Sequence, residues 1–401
     1  MTSVQTEKVA PLSAALGNSN GDAPWLASLR TMGATLADKL AMPDSRRERP
    51  WKYLDVSNLR PESFGTAGTA RVEITANASQ ATVVEFANAS GDAASALEKH
   101  LGTAVLPGIN RLTALHYALL RGGVIAHIPA NSEVTEPVRI KRTYEGSQFA
   151  TPHTLIVTGA NSRVTIVQEF VSGDDEMVAT PVIEIIPGPG SVVHLYSLHT
   201  WGPETQVFEN QRFLAESDGA ELQSLGIVFS GRVVKSHLES SLIGRGTASE
   251  LLGIGYGKGN THTDLYTVQD HIGPDTRSDL LVKSALTDRA RSVYYGLTRV
   301  GLGAKNADAN QENRNLLLSK TAKADSDPVL EILTNDVIRV SHGATAGPVD
   351  QEQLFYMQAR GIPYAEAESM LVTAFLEAVL SRVPIESLRE ELIDLLEEAL
   401  D

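Results

Sequence analysis

The middle of this chain alternates apolar and polar positions, and its two ends repeat apolar positions at helical spacing. From about Gly123 to Val337, short runs rich in Val, Ile, Leu, Thr and Tyr alternate with polar residues and stop at Gly, Asn, Asp or Ser, the pattern of half-buried strands. Strands are predicted to begin near His153, Arg163, Val178, Ser191, Thr205, Ala220, Val233, Ala248, Thr261, Thr276, Arg291 and Asp308, at intervals of roughly 14 residues. Turn signals lie between them at Gly159-Ala160-Asn161, Gly188-Pro189-Gly190, Ser217-Asp218-Gly219 and Gly244-Arg245-Gly246. Both an antiparallel sandwich or barrel and a β-helix, whose strands stack on their equivalents one coil later, fit this rhythm. Two-residue Asn-Gly and Asp-Gly hairpins are mostly missing, which favours the β-helix.

The flanks read as helical. After a polar leader over residues 1–22, Trp25, Leu26, Leu29, Met32, Leu36 and Leu40 predict a helix from Trp25 to Met42, ended by Pro43. Arg46, Arg47, Arg49, Pro50, Trp51, Lys52, Tyr53 and Leu54 form a basic and aromatic cluster, read as a packed connector with a solvated edge. A strand over Ala81 to Ala87 and short helices over Ala93 to Leu101 and Arg111 to Leu120 complete a mostly helical region, 23–122. The β core is placed at 123–346 and a helical domain at 347–401. There Asp350 is an N-cap with Gln353 at the capping-box position, and Gly361 and Pro363 stop a helix over Gln351 to Arg360. A second helix runs from Ala365 to Arg382, and Pro384 starts a third with Leu388, Leu392, Leu395, Leu396 and Ala399 on one face. The other face is acidic, with Glu386, Glu390, Glu391, Asp394, Glu397 and Glu398, and suits either solvent or a docking partner.

Composition removes several functions. The chain has 401 residues, 34 of them basic and 49 acidic, and its formal charge of −15 argues against a broad nucleic-acid or anionic-membrane surface. With 42% hydrophobic residues it can bury a sizeable core. It has no cysteine, so a disulfide, a thiolate zinc site, a cysteine nucleophile and a self-contained cysteine-ligated cluster are excluded. No apolar run approaches the roughly 20 residues of a membrane helix, and the first residues do not form a signal peptide, so a cytoplasmic location is expected.

Nucleotide motifs are missing: Gly253-Ile254-Gly255-Tyr256-Gly257-Lys258-Gly259 has the wrong spacing for a phosphate loop, and no Gly-x-Gly-x-x-Gly opens a helix. Gly343-Ala344-Thr345-Ala346-Gly347 imitates a nucleophile elbow, but no helix follows at once, so a tight turn is expected there. Among ten histidines, His262 shares a strand face with Asp264 and Tyr266, while alternation puts His271 on the other face. An iron site of His262, Asp264 and His271 would need a turn to bring His271 back, and satisfied structural histidines are the simpler reading. Asp264 and Asp270 would be the acid and base if the core were a carbohydrate-active enzyme, a reading weakened by an aromatic content of only 5%. His342 sits among small neighbours that leave its imidazole accessible.

The stretch Ser341-His342-Gly343-Ala344-Thr345-Ala346-Gly347, followed by Leu354-Phe355-Tyr356 and Arg360-Gly361-Ile362, resembles the C-terminal signature of the SufB/SufD family. Gln311 to Ser319, Pro328 to Ile332 and Trp51-Lys52-Tyr53 resemble the same family, and the length and the last of these point to its SufD branch. The resemblance implies a right-handed parallel β-helix between helical flanks and a non-catalytic scaffold role in iron–sulfur cluster assembly. It implies pairing with a SufB-like chain through the core, a SufC-like ATPase on the C-terminal helices, and no cofactor held stably by this chain alone. A homodimer is a further possibility. His342 matches a histidine thought to hold the nascent cluster at the interface, and Phe355, Tyr356 and Arg360 fall near the expected ATPase contact. Many relatives carry Cys where this chain has Val340, so any thiolate must come from the partner.

Overall fold

The computed structural model describes residues 23–61, 70–76 and 80–400, and the expected leader lies outside the described residues. The chain winds into a two-sheet parallel solenoid. One sheet contains, in order, β1 (Arg71–Thr75), β4 (Val138–Tyr144), β7 (Arg163–Ser172), β10 (Val192–Thr200), β12 (Glu221–Val228), β14 (Ala248–Gly257), β16 (Arg277–Leu286), β18 (Ala307–Leu317) and β20 (Val337–Gly347). The facing sheet contains β2 (Thr82–Glu85), β3 (Val124–Ile128), β6 (His153–Thr158), β9 (Val182–Ile186), β11 (Thr205–Ala215), β13 (Val233–Leu242), β15 (His262–His271), β17 (Arg291–Val300) and β19 (Lys323–Ile332), with the short β5 (Phe149–Ala150) and β8 (Met177–Ala179) at its side. From β9 onward successive strands alternate between the sheets, and all but the last two pair with strands one coil before and after: Val192 stands opposite Arg163 and Glu221. Among the described residues only β1 with β4 and β2 with β3 pair antiparallel, at the N-terminal end.

Alternation builds the core. Val164, Ile166, Val193, Leu195, Ile183, Ile185 and Phe213 point between the sheets and are fully buried. One corner of every coil turns through a residue with positive φ: Asn131, Asn161, Gly190, Gly219, Gly246, Asp275 and Asn306. This left-handed conformation is open to Gly and tolerated by Asn and Asp, which explains the turn signals in the sequence. The turns form a ladder, because the N–H of Asn161 donates to Pro189 O, that of Gly190 to Asp218 O and that of Gly219 to Arg245 O.

Helices cover the outer faces. Helices α1 (Pro24–Lys39), α2 (Gly91–His100) and α3 (Arg111–Leu119) lie on the second sheet, where Ala34, Ala37 and Leu115 cluster with Phe149, Val178 and Phe208. Gly33 lets α1 and α3 meet, since a Cβ there would lie 2.6 Å from Ala118 N. The C-terminal helices α4 (Gln351–Ala359), α5 (Tyr364–Leu380) and α6 (Glu386–Leu400) pack on the first sheet, seating Leu376, Val379, Leu380, Leu388 and Leu392 against Leu225, Ile254 and Leu281. Arg382 donates to Glu250 at 2.9 Å and Asp279 at 2.6 Å, and Arg139 forms a bidentate pair with Glu391 on the acidic face of α6. No helix among the described residues is long and apolar enough to cross a membrane.

The expected tight turn at Gly343–Gly347 is not formed: these residues finish strand β20. β19 and β20 escaped the periodicity because their inward positions mix Ala324, Ser326, Pro328, His342, Ala344 and Ala346 with the larger Leu330, Ile332 and Val340, so no regular run of large apolar side chains marks them.

Candidate functional site

β19 and β20 end the two sheets and leave the last coil uncovered. Ile332, Leu333 and Ile338 are exposed there, Ile338 at 69%. His342 lies on β20 opposite Gln311, between Val340 opposite Ala309 and Ala344 opposite Asn313. Parallel partners share a face, so His342 belongs to the side that faces the solenoid interior, at its open mouth, and it is exposed. It is therefore an edge-strand histidine rather than a turn histidine.

Beneath that mouth the interior changes from aliphatic to amide and hydroxyl. Tyr294 donates to Gln311 Oε1 at 2.8 Å, Gln311 Nε2 donates to Thr298 Oγ1 at 3.1 Å, and Thr298 donates to Gln269 Oε1 at 3.0 Å. Ser326 and Asn315 both donate to Asn313 Oδ1, at 2.6 and 2.7 Å. Asn313 Nδ2 and Asn315 Oδ1 are buried without a partner. The signal for this layer was visible as polar residues at alternate positions, Gln311, Asn313 and Asn315, but their inward direction was not.

Among the described residues no three His, Cys, Asp or Glu side chains are grouped to hold a metal. His342 thus offers a single imidazole. The structure also separates His262, Asp264 and His271. His271 points inward and is buried, its Nδ1 2.8 Å from Thr276 Oγ1 and its Nε2 2.8 Å from Ser278 Oγ. Thr276 gives its proton to Gly273 O, so it accepts from His271 Nδ1, and Ser278 donates to Nε2. Both ring nitrogens are satisfied in the neutral form, and burial pushes the imidazole down to about 4.

Asp264 points outward but is buried beneath a strap formed by residues 48–54. Lys235 Nζ reaches Asp264 Oδ1 at 2.7 Å and Pro50 O at 2.5 Å, and lies 4.9 Å from the Trp51 ring centroid. Further along the strap, Arg49 covers Tyr295, Arg291 covers Tyr53, and Lys52 and Tyr53 both contact Asp327 of β19. Asp270 is held by Arg299. Both carboxylates of the acid–base reading are committed to cations, and Asp264 is shielded from any polysaccharide.

On α4, Leu354 is buried while Phe355 and Tyr356 are 73% and 59% exposed, so the aromatics do not pack their own domain. Arg360 donates to the Tyr356 hydroxyl at 2.7 Å and stacks over its ring, and Tyr364 and Met370 of α5 are also exposed.

Comparison with known proteins agrees with this layout. Residues 140–375 match the family model described as the SUF system FeS cluster assembly, SufBD core domain. The chain is 30% identical to the iron–sulfur cluster assembly protein SufD of Bacillus subtilis over 292 residues, which span 72% of this chain and 66% of that protein. It is 26% identical to an iron–sulfur cluster assembly SufBD family protein of Mycobacterium tuberculosis over 375 residues, 91% of each chain. It is 27% identical to B. subtilis SufB over 298 residues, 72% of this chain and 62% of that one. The chain belongs to the SufBD family of iron–sulfur cluster assembly proteins.

Proposed function

We propose that this chain is a non-catalytic scaffold subunit that pairs with a SufB-like chain through its open coil and carries a SufC-like ATPase on its C-terminal helices. The observation that carries this reading is the uncovered last coil, where two strand edges, three exposed aliphatic side chains and His342 lie together. The nascent cluster is cargo of this interface. Imidazole suits iron, and His342 would supply one ligand while thiolates come from the partner, because this chain has none. Exposed Phe355 and Tyr356, braced by Arg360, support α4 as the ATPase contact, since aromatic and arginine side chains dominate binding hot spots.

The test is anaerobic co-purification of the tagged chain with the SufB-like and SufC-like proteins of the same genome, reading complex mass, iron and visible absorption. A three-component complex is expected. His342→Ala should leave its mass unchanged and remove the iron chromophore. Phe355→Ala with Tyr356→Ala should weaken ATPase binding about tenfold or more while retaining the SufB-like chain. Absence of any complex overturns the reading, and an unchanged chromophore in His342→Ala removes the ligand role.

A further inference from the structure

Where the N-terminal helices meet the solenoid, two histidines and a glutamate form a chain of hydrogen bonds closed to solvent. His116 of α3, His153 of β6 and Glu184 of β9 are all fully buried. His116 Nδ1 lies 2.6 Å from Thr180 O, His116 Nε2 lies 3.0 Å from His153 Nδ1, and His153 Nε2 lies 3.1 Å from Glu184 Oε2. Glu184 in turn holds the loop between α2 and α3. Its Oε2 accepts from Gly102 N at 2.7 Å, and its Oε1 accepts from Ala104 N at 2.8 Å and Val105 N at 2.9 Å. The three side chains thereby tie that loop and α3 to two neighbouring strands of the second sheet.

These bonds fix the number of protons the three side chains hold. A carbonyl oxygen only accepts, so His116 Nδ1 carries a proton. The two ring nitrogens that face each other need one proton between them, and so do His153 Nε2 and Glu184 Oε2. Two neutral imidazoles and a carboxylate bring one proton too few for this arrangement. Without the additional proton, either two nitrogen lone pairs meet at 3.0 Å or a lone pair meets the carboxylate at 3.1 Å. No lysine or arginine pairs with Glu184 among the described residues, so the same proton also balances its buried charge. The surrounding groups keep their charge between pH 7 and 9. Burial, and after it the neighbouring His153, push the His116 imidazole well down. Tyr117 of α3 donates to Val105 O, and burial pushes its hydroxyl well up. Arg142 of β4 donates to His153 O, Arg212 of β11 donates to Ala104 O, and both guanidiniums stay charged. His100, at the end of α2 with Lys99 and Glu216 nearby, is pushed down by burial and is neutral above pH 7. Glu85 and Arg121 stand exposed at the rim beyond His153.

We propose that one proton bound among His116, His153 and Glu184 latches α3 and the α2–α3 loop to the solenoid, and that mildly alkaline conditions release the latch. In the opened state the histidines meet water and give up the proton above about pH 6.5, whereas the closed arrangement retains it. Closing takes up one proton, so the opening constant rises with pH, by up to about tenfold per unit. The latch involves neither the open coil nor the C-terminal helices.

The experiment is amide hydrogen exchange of the full chain at pH 7, 8 and 9, corrected for the intrinsic rate at each pH and converted to opening constants. The amides of Gly102, Ala104 and Val105 and those of α3 should open more readily by up to about tenfold per pH unit, while the last coils of the solenoid stay level. Glu184→Gln supplies an amide that can donate to His153 Nε2 with both imidazoles neutral, so in that variant the rise with pH should vanish. If Glu184→Gln does not fold, the parent profile decides. Opening constants that are flat with pH in the parent overturn the proposal. So does a rise that persists in folded Glu184→Gln, and so does one spread equally over the last coils.

Discussion

The ion pair of Lys235 and Asp264 gives the sharpest energetic test of the reading that Asp264 is structural. Both side chains are almost fully buried, at 5% and 2% exposure. Burial pushes the Lys235 ammonium down and the Asp264 carboxyl up, each shift opposed by the partner 2.7 Å away. Removing one member strands the other charge in a site with little water, at a cost of about 3–5 kcal/mol. Lys235→Met and Asp264→Leu are each expected to destabilise by that amount. Lys235→Met also deprives Pro50 O of its donor, worth about 1 kcal/mol, and lifts the cation from the Trp51 face. The double variant removes both charges together and should return to within about 2 kcal/mol of the parent. A double-mutant cycle by urea unfolding should therefore give a coupling of at least about 4 kcal/mol. Additive single effects, or singles below about 1 kcal/mol, would refute the reasoning.

Three other outcomes follow from the same geometry. His271 is held near pKa 4 in the fold against about 6.5 unfolded, so the unfolded chain binds the extra proton, and stability is full above pH about 6.5 and lost as pH falls toward about 4. The loss reaches about 3 kcal/mol, and urea midpoints at a series of pH values should show a shallower acid decline for His271→Gln. Arg382→Ala cuts the contacts of the C-terminal helices to Glu250 and Asp279; it should cost about 1–2 kcal/mol, because the arginine is a third exposed, and speed hydrogen exchange in α5 and α6 while the solenoid exchanges as before. Gly33→Ala drives a Cβ against the α3 backbone and should lower the thermal midpoint by an amount equivalent to about 1–3 kcal/mol; an unchanged midpoint would mean α1 moves freely on α3.

The strands from His153 to Arg291 were legible because their inward positions carry Val, Ile and Leu, and because the corner of each coil demands Gly, Asn or Asp. What the local pattern could not reveal is pairing. The partner of Val192 is 29 residues away in either direction, and no short window distinguishes that from a hairpin partner. The same limit hid β20, whose sequence of small residues reads as a turn until Asp308 to Leu316 is placed beside it. His342 was singled out by its small neighbours, but its position at an open mouth came from that pairing. Phe355 and Leu354 are adjacent and similarly apolar, and only the packing of α4 reveals which is buried. Lys235 gave no signal at all, because its partners Pro50 and Asp264 lie on a distant strap and the next coil.

The two ends of the solenoid solve the same problem differently. Every parallel sheet leaves an edge of unpaired N–H and C=O groups, a template for unwanted pairing. At the N-terminal end, β1 and β2 reverse direction and halt the stacking. At the C-terminal end, β19 and β20 run 10 and 11 residues with no further strand paired beyond them among the described residues. Some protection is present, since Pro328 removes a donor from β19 and Lys323 and Arg339 place charge beside the edge. Yet Ile338 and Leu333 sit in water beside those same strands, which an edge tuned only for solubility would not retain. A partner that completes both sheets would pair the edge groups, bury the aliphatic side chains and enclose His342 in one step. On the proposed function, the residue that would meet iron and the surface that a partner would cover belong to the same structural feature, and a single contact would serve both.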